Sequence, residues 1–238
     1  MAYQKGEIMF LLSLAALLPP FYLMRYIYRQ AQVEKEPIGL VFRTILFGVI
    51  SIFPTMIVEG VLIGILNRAV PDTTILGLLL ENMIGVALVE EFFKMQACKL
   101  SVWKNPEFNY TFDGIIYSVA AAIGFAAFEN LMYVFDGGLA TALARAITAI
   151  PGHTIFGIFM GMHLGIAKYQ EVRGNRASAS RHKKLALLVP MVLHGLYDFI
   201  CSLNSEVGMV IFFVGLIILD IIAIRNVKAF GANDTPIY

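Results

Sequence analysis

The sequence predicts an all-α integral membrane protein, a polytopic bundle of about seven transmembrane helices. Of its 238 residues, 58% are hydrophobic and only 15% are charged, and the mean hydropathy is +0.74. The chain therefore lacks the polar residues that cover a soluble domain of this size. Apolar runs long enough to cross a bilayer core of about 30 Å recur along the whole chain. We expect a single integral-membrane domain over residues 1–238.

Seven apolar runs, separated by short polar stretches, define the expected helices. They cover about 8–24, 38–66, 74–95, 114–135, 139–167, 185–203 and 208–224. The fifth run is too long for one straight crossing, and it contains Pro151 and Gly152. Because proline removes a backbone donor and glycine loosens the next turn, we expect a broken helix near these residues. After the break, Gly157, Gly161 and Gly165 repeat every four residues, a stripe that indicates close packing against another helix.

Positive charges indicate how the helices cross the membrane. The first run has no convincing small-residue cleavage site and is followed by Arg25, Arg29 and Lys35, so we expect an uncleaved anchor with its N-terminus outside. Threading seven spans from there places about fourteen Lys and Arg residues on or near the cytoplasmic side, and only Lys5 and Arg68 clearly outside. An odd number of spans then puts the C-terminus in the cytoplasm.

The overall charge and the cysteines exclude two classes of protein. Eighteen Lys and Arg residues against seventeen Asp and Glu residues leave a net charge of +1, so the sequence offers no basic excess for a nucleic-acid partner. Cys98 and Cys201 lie in apolar surroundings without CxxC spacing, which argues against a disulfide scaffold. We expect both cysteines to be inert packing residues.

Ionisable side chains interrupt the third to sixth runs, where each costs about 2.5–3.5 kcal/mol unless it has a partner, water or a function. They are Glu90, Glu91 and Lys94 in run three, Glu129 beside Asn130 in run four, His153 in run five, and His194 and Asp198 in run six. Residues three or four apart share a helix face. Lys94 can therefore reach both glutamates, and His194 can share a cavity with Asp198.

These residue types can hydrolyse a peptide bond, which requires an activated water, a donor for the oxyanion and an acid for the leaving amine. One of Glu90 and Glu91 would activate water. His194, held by Asp198, would stabilise the oxyanion or protonate the amine, with His153 or Asn130 nearby. The chain has neither a Gly-x-Ser-x-Gly elbow nor a His-Glu-x-x-His helix, and neither cysteine lies in a clear cysteine–histidine setting. A serine or cysteine mechanism is therefore disfavoured.

A metal-dependent version of the same chemistry remains open at the level of sequence. His153 and His194, with one or two carboxylates from Glu129 and Asp198, form a plausible ligand set for Zn²⁺ that leaves a position for water. Their spacing alone does not decide between a metal-dependent and a glutamate-dependent site.

Other classes of function use similar residues. A proton-coupled secondary transporter also needs buried carboxylates, a histidine and a broken helix, although the chain shows no inverted repeat. A noncatalytic membrane scaffold would merely pair these groups. Four further charges lie near span ends or on other helix faces, and we expect structural or pore-lining roles for them: Arg43, Glu59, Glu81 and Arg145.

Four motifs in register resemble the PrsW family of bacterial intramembrane proteases, which is related to the CAAX-protease superfamily. They are Glu90-Glu91-Phe92-Phe93-Lys94, Phe128-Glu129-Asn130, His153 after Pro-Gly, and His194-Gly195-x-x-Asp198. By this resemblance Glu90 and Glu91 match the paired glutamates, Lys94 their basic partner and His194 the late histidine. Glu129, His153 and Asp198 match less firmly, since many members of the wider superfamily have histidine at the position of Glu129 and asparagine at that of Asp198.

The resemblance implies an endopeptidase of the bacterial cell membrane. Its partner would be a single-span membrane protein, an anti-sigma factor, and the first cut would release an extracytoplasmic-function sigma factor under envelope stress. One expectation from counting residues opposes a shared site, because it places Glu90 and Glu91 towards the inner half of their span and Glu129 towards the outer half.

Overall fold

The chain folds into eight α-helices and one π-helical segment in the part that the structure, a computed structural model, describes. Residues 2–238 are described, with side chains from residue 10 onward, so the side chain of Lys5 lies outside the description. The elements are α1 Ala2–Arg29, α2 Ile38–Ala69, α3 Ile75–Leu80, the π-helical segment Glu81–Ala87, α4 Leu88–Val102, α5 Asp113–Ile147, α6 Ala149–Val172, α7 Arg176–Ser202 and α8 Glu206–Ala232. The predicted all-α fold is confirmed.

Five stretches of the described residues are helical, long and apolar enough to cross a membrane. They are Phe10–Arg29, Ile38–Ala69, Asp113–Val172, Arg176–Ser202 and Glu206–Ala232. The third stretch contains both α5 and α6. Between the second and third stretches, α3, the π-helical segment and α4 follow one another without a break over residues 75–102 and match the predicted third run. The helices thus occur in the predicted order, as a polytopic membrane bundle.

The predicted helix break is present, and it is accompanied by a second one. Thr148, three residues before Pro151, has the non-helical angles φ −122° and ψ −74° and separates α5 from α6. Pro151 falls in the first turn of α6, where a missing backbone N–H breaks no helical hydrogen bond. A kink within α5 occurs at Gly138, whose φ of +70° and ψ of −160° favour glycine. Residues 139–147 therefore form a short helical piece with a break at each end, called the 139–147 segment below.

The glycine stripe packs α6 against α5, as the sequence predicts. A Cβ built on Gly161 would lie 2.4 Å from the backbone oxygen of Gly114, and one built on Gly165 would lie 2.0 Å from the backbone oxygen of Thr111. A residue with a Cβ atom would fit at neither position unless a backbone moved, so both positions require glycine. This close approach places the N-terminal half of α5 at the centre of the bundle, where Ile115 is fully buried.

The loop between α1 and α2 is tied to the start of α5. Glu36, only 2% exposed, accepts a hydrogen bond from the hydroxyl of Tyr117 through its carboxylate. The backbone oxygen of Glu36 accepts a second one, 2.7 Å long, from the hydroxyl of Tyr28. These bonds fix the end of the bundle opposite the breaks at Gly138 and Thr148.

Candidate active site

Three charged residues on α4 form a buried ion cluster. The Nζ atom of Lys94 donates to Oε2 of Glu90 at 2.7 Å and to Oε1 of Glu91 at 2.8 Å. Lys94 and Glu91 are 0% exposed, and Glu90 is 7% exposed. The predicted sharing of one helix face by these residues is confirmed. Because each buried ion costs several kcal/mol unless it is well paired, the three charges stabilise one another only as a set.

The π-helical segment directly before α4 positions this cluster against α7. Wide π-helical turns are rare and occur frequently at functional sites. Here the segment lets α7 approach very closely, since a Cβ on Gly195 would lie 2.2 Å from the sulfur of Met83. The neighbouring side chain on α7 is His194, so this contact brings an imidazole to the ion cluster.

His153, in the first turns of α6, links α4 to α5. Its Nδ1 lies 3.0 Å from Nζ of Lys94, and its Nε2 lies 2.9 Å from Oε2 of Glu129. A lysine ammonium can only donate, so Nδ1 must accept and the ring proton is assigned to Nε2. His153 thus donates to Glu129, and this carboxylate fixes both the orientation and the tautomer of the ring.

His194 lies between two carboxylates. Its Nδ1 is 2.9 Å from Oε1 of Glu91, and its Nε2 is 3.1 Å from Oδ2 of Asp198. The ring stacks on Phe156 with centroids 4.7 Å apart. When both carboxylates are ionised, both ring nitrogens must donate, so His194 carries a proton that it can give up. The predicted pairing of His194 with Asp198 is confirmed.

The structure brings Glu129 to the site, although residue counting placed it at a different depth from Glu90. Both carboxylates line one cavity of about 370 Å³, together with His153, His194 and Asp198. Counting assumed straight helices and a third run that ends near residue 95, whereas this run contains a π-helical segment and its last helix, α4, continues to Val102. Tilt and irregular turns of this kind displace side chains along the membrane normal.

Asn130 is the predicted site residue that does not contact the cluster. Its Nδ2 donates to the backbone oxygen of Ala16 at 2.9 Å, and its Oδ1 accepts from Nε of Arg145 at 2.9 Å. The amide is therefore occupied in holding Arg145, which corrects the expectation that it lies beside the histidines. Arg145 in turn lies 2.9 Å from Oε2 of Glu129. The sequence predicts only a structural or pore-lining role for Arg145, and the signal that could have drawn attention to it is a charge inside an apolar run.

The two cysteines and three of the charges expected to be structural or pore-lining lie in different surroundings. Cys98 is buried, as expected, but Cys201 is exposed at the cavity, which corrects its assignment as a packing residue. Glu81 accepts from Asn67 at 2.8 Å, and Arg43 donates to the backbone oxygen of Ser101. These two charges have the structural roles that we expected. The Oε1 atom of Glu59 is buried without a hydrogen bond to any described residue.

Four of the buried side chains can hold a metal ion. Glu90, Glu91, His153 and His194 each offer one ligand atom, and these atoms all lie within 4.8 Å of one another. Carboxylate oxygen and imidazole nitrogen are ligands that zinc accepts. Oε2 of Glu91 is buried without a hydrogen bond among the described residues, so a donor atom is free. The group differs from the expected ligand set, because Glu129 and Asp198 lie behind the histidines as their hydrogen-bond partners.

Comparison with known proteins identifies the family. A family model described as PrsW family intramembrane metalloprotease matches residues 36–223. Among curated relatives, "Protease PrsW" of Geobacillus kaustophilus is 34% identical over 92% of both chains. The protein of the same name from Halalkalibacterium halodurans is 34% identical over 95% of this chain and 100% of its own. That of Bacillus subtilis is 31% identical over 83% of this chain and 86% of its own.

The solved structures gave no match to the chain. The assignment therefore depends on sequence similarity, which covers most of the chain and includes every helix that contributes to the buried cluster. A peptidase of this class works inside a membrane, which agrees with the multi-pass helical fold. The chain belongs to the PrsW family of intramembrane metalloproteases.

Proposed function

We propose that the cluster of Glu90, Glu91, Lys94, His153 and His194 is the catalytic centre of this peptidase. The observation that carries the proposal is the convergence of four potential ligand or acid–base groups, from three different helices, within 4.8 Å. They adjoin a cavity of about 370 Å³ that Glu90, His153 and His194 line. Water, a base and an acid can therefore meet there, as peptide hydrolysis requires.

Glu90 is the better candidate for the base of the two adjacent glutamates. It lines the cavity, whereas Glu91 is 0% exposed and is held by Lys94 and His194. Glu90 would take a proton from water as the water oxygen bonds to the substrate carbonyl carbon. When the C–N bond then breaks, the amine must receive a proton to leave. His194, with a proton on each ring nitrogen, can donate one.

A metal ion, for which we propose Zn²⁺, would be held by Glu91, His153 and His194, three of the four converging donor groups, which leaves Glu90 as the base. As a ligand His194 would be neutral, and the proton that Glu90 takes from water would then pass to the leaving amine. When bound, such an ion polarises a carbonyl and lowers the pKa of a bound water. Glu129 and Asp198 would then keep the two imidazoles in a fixed orientation, as carboxylate partners of metal-binding histidines do. Lys94 contacts three of the four donor groups, so its ammonium and the metal ion would compete for the same negative charge.

We further propose that the substrate is a single-span membrane protein, an anti-sigma factor, cut first by this enzyme to activate an extracytoplasmic-function sigma factor under envelope stress. The family resemblance supports this substrate class. The distribution of Lys and Arg supports an external N-terminus and a cytoplasmic C-terminus in the bacterial cell membrane. In that orientation two residues that line the cavity, Asn82 and Ser202, lie towards the external ends of their helices.

The experiment is co-expression of the full chain with a single-span anti-sigma factor as substrate. Glu90→Gln, Glu91→Gln and His194→Ala should each abolish cleavage, while Glu81→Gln should cleave normally, because Glu81 is bonded to Asn67 outside the cluster. A chelator added to the purified cleavage reaction should stop it, and Zn²⁺ should restore it. Normal cleavage by all three cluster variants, with movement of protons or solute by the purified protein, would instead favour the transporter.

A further inference from the structure

Arg145 joins a chain of polar contacts that ends at the candidate catalytic histidine. Its Nε donates to Oδ1 of Asn130 at 2.9 Å, and its Nη2 lies 2.9 Å from Oε2 of Glu129 as an ion pair without hydrogen-bond alignment. The same Oε2 atom accepts from Nε2 of His153 at 2.9 Å. One carboxylate oxygen thus bridges a guanidinium and an imidazole. The position of Arg145 therefore affects the position of His153, although the two side chains do not need to touch.

Arg145 lies on the 139–147 segment, which has a backbone break at each end. Gly138 before it has φ +70°, and Thr148 after it has φ −122° and ψ −74°. One non-helical residue thus lies at each end of a rigid helical piece. Hinges are a few residues that absorb changes in φ and ψ, so this arrangement allows the segment to rotate as a unit. The segment also forms part of the site cavity, through Arg145.

Few apolar contacts hold the 139–147 segment against the rest of the protein. Its buried residue Ala142 packs in a small cluster with Ala16 and Val134. On its other side, Leu139, Leu143 and Ile147 are 57%, 61% and 66% exposed. An alanine buries little apolar surface. The polar contacts of Arg145 therefore contribute a large share of what holds the segment in place, together with the stacking of its guanidinium 4.1 Å from the Tyr133 ring.

We propose that Arg145 is a positioning residue for the peptidase reaction and the latch of the 139–147 segment. When the segment is in the observed position, Arg145 holds Glu129, and Glu129 holds the His153 ring towards Lys94. When the segment swings out to admit a peptide, Arg145 leaves Glu129 and the ring loses its fixed orientation. Return of the segment over the bound peptide restores it, so the orientation of the histidine is coupled to closure. This inference rests on the proposed catalytic role of His153.

The test compares Arg145→Gln, Arg145→Lys and the control Arg68→Gln, all as full chains in detergent micelles. Arg68 is a matched control because it is an exposed arginine in the last turn of α2. Two quantities are measured. Hydrogen–deuterium exchange is followed in peptides covering residues 139–147 and in peptides from α8, and kcat and KM are determined for cleavage of a single-span substrate.

Arg145→Gln should speed exchange in residues 139–147 at least about tenfold and leave α8 unchanged. It should lower kcat about 10–100-fold with little change in KM, as loss of a carboxylate's support to a site histidine does. Arg145→Lys should recover much of kcat, because an ammonium can still pair with Glu129. Its exchange should stay fast, because a lysine cannot reach Glu129 and Asn130 together in the fork geometry of arginine.

Two outcomes would overturn the inference. Exchange and cleavage by Arg145→Gln equal to those of Arg68→Gln would show that no latch exists. An equal rise of exchange in α8 would show a global loss of stability instead of a local opening. The exchange measurement needs no substrate, so it decides the latch separately from catalysis. Normal cleavage by His153→Ala would reject the catalytic role of His153 and, with it, the positioning role of Arg145. Fast local exchange in Arg145→Gln would in that case still support the latch.

Discussion

Nζ of Lys94 lies 3.0 Å from Nδ1 of His153, a residue 59 positions later in the chain. The same ammonium donates to Glu90 and Glu91, and it lies 4.5 Å from the centroid of the Phe125 ring. All three of its N–H donors are therefore used. A fully buried lysine with three acceptors from two helices joins α4 to α6, and it balances the charge of the adjacent glutamates.

Replacing Lys94 by methionine removes this cation and keeps a side chain of similar length. The two glutamates would then be buried without their partner, and we expect a loss of about 3–5 kcal/mol in the free energy of unfolding. Zn²⁺ should recover part of this loss, because a dication can take the charge-balancing place of the ammonium among the same donors. Thermal unfolding in micelles, with and without Zn²⁺, measures both effects. Equal stability of the variant and the unmodified protein would contradict this prediction. So would an equal stabilisation of both proteins by Zn²⁺.

Asp198→Asn tests the carboxylate partner of His194. Asparagine keeps the shape of the side chain but loses the charge that favours a protonated ring at 3.1 Å. We expect kcat for cleavage to fall about 10–100-fold while the fold remains intact. Asp72→Asn is the control, since Asp72 is an exposed residue between α2 and α3. Equal rates for the two variants would exclude a role for Asp198 in orienting the histidine.

Much of the site could be predicted because it depends on local spacing. Charges inside apolar runs are costly, so Glu90, Glu91 and Lys94 are conspicuous in the sequence, and the i, i+3 and i, i+4 rules place them on one helix face. The same rules pair His194 with Asp198. The glycine stripe predicts close packing of α6 for an equally local reason, since small residues permit backbones to approach.

Contacts between distant helices could not be predicted in this way. The partners of Arg145 and the structural role of Asn130 depend on the kink at Gly138 and on the break at Thr148. The sequence shows a glycine pair at residues 137 and 138, but a helical glycine and a hinge glycine look the same. The depth of Glu129 likewise depends on the π-helical segment and on helix tilt, which hydropathy does not reveal.

Gly161→Ala tests the packing of α6 on α5. The new methyl group would lie 2.4 Å from the backbone oxygen of Gly114, so the helices must separate, and we expect destabilisation by about 1–3 kcal/mol. Gly215→Ala in α8 is the matched control, because no atom of the described residues would lie within 4 Å of its Cβ. That substitution should stabilise a helix by roughly 0.5–1 kcal/mol. Unfolding midpoints of the two variants that shift in the same direction would argue against this close contact.

Glu36 should make stability depend on pH. Burial raises the pKa of its carboxyl above the usual 4.5, although hydrogen bonds with Asp113 and Tyr117 act in the opposite direction. Because the folded state holds the proton more tightly than the unfolded state, this contribution to stability is complete below about pH 4.5. It is lost as the pH rises through the raised value.

The stability of Glu36→Gln should accordingly vary less with pH than that of the unmodified protein. Thermal unfolding midpoints between pH 4 and pH 8 provide the measurement. Glu34→Gln, which changes an exposed carboxyl in the same loop, should retain the full pH dependence. If Glu34→Gln removed the pH dependence and Glu36→Gln left it in place, the effect would belong to Glu34, and this prediction would be contradicted.

The most direct test of the central claim is the rate of substrate cleavage by purified protein in proteoliposomes, with Glu91→Gln compared with Glu81→Gln. Both substitutions remove one carboxylate from the same helical rod, but only Glu91 contacts Lys94 and His194. We expect Glu81→Gln to cleave at the rate of the unmodified protein. The cleavage rate of Glu91→Gln should fall at least about a hundredfold. Equal cleavage by both variants would show that the buried cluster is not the catalytic centre.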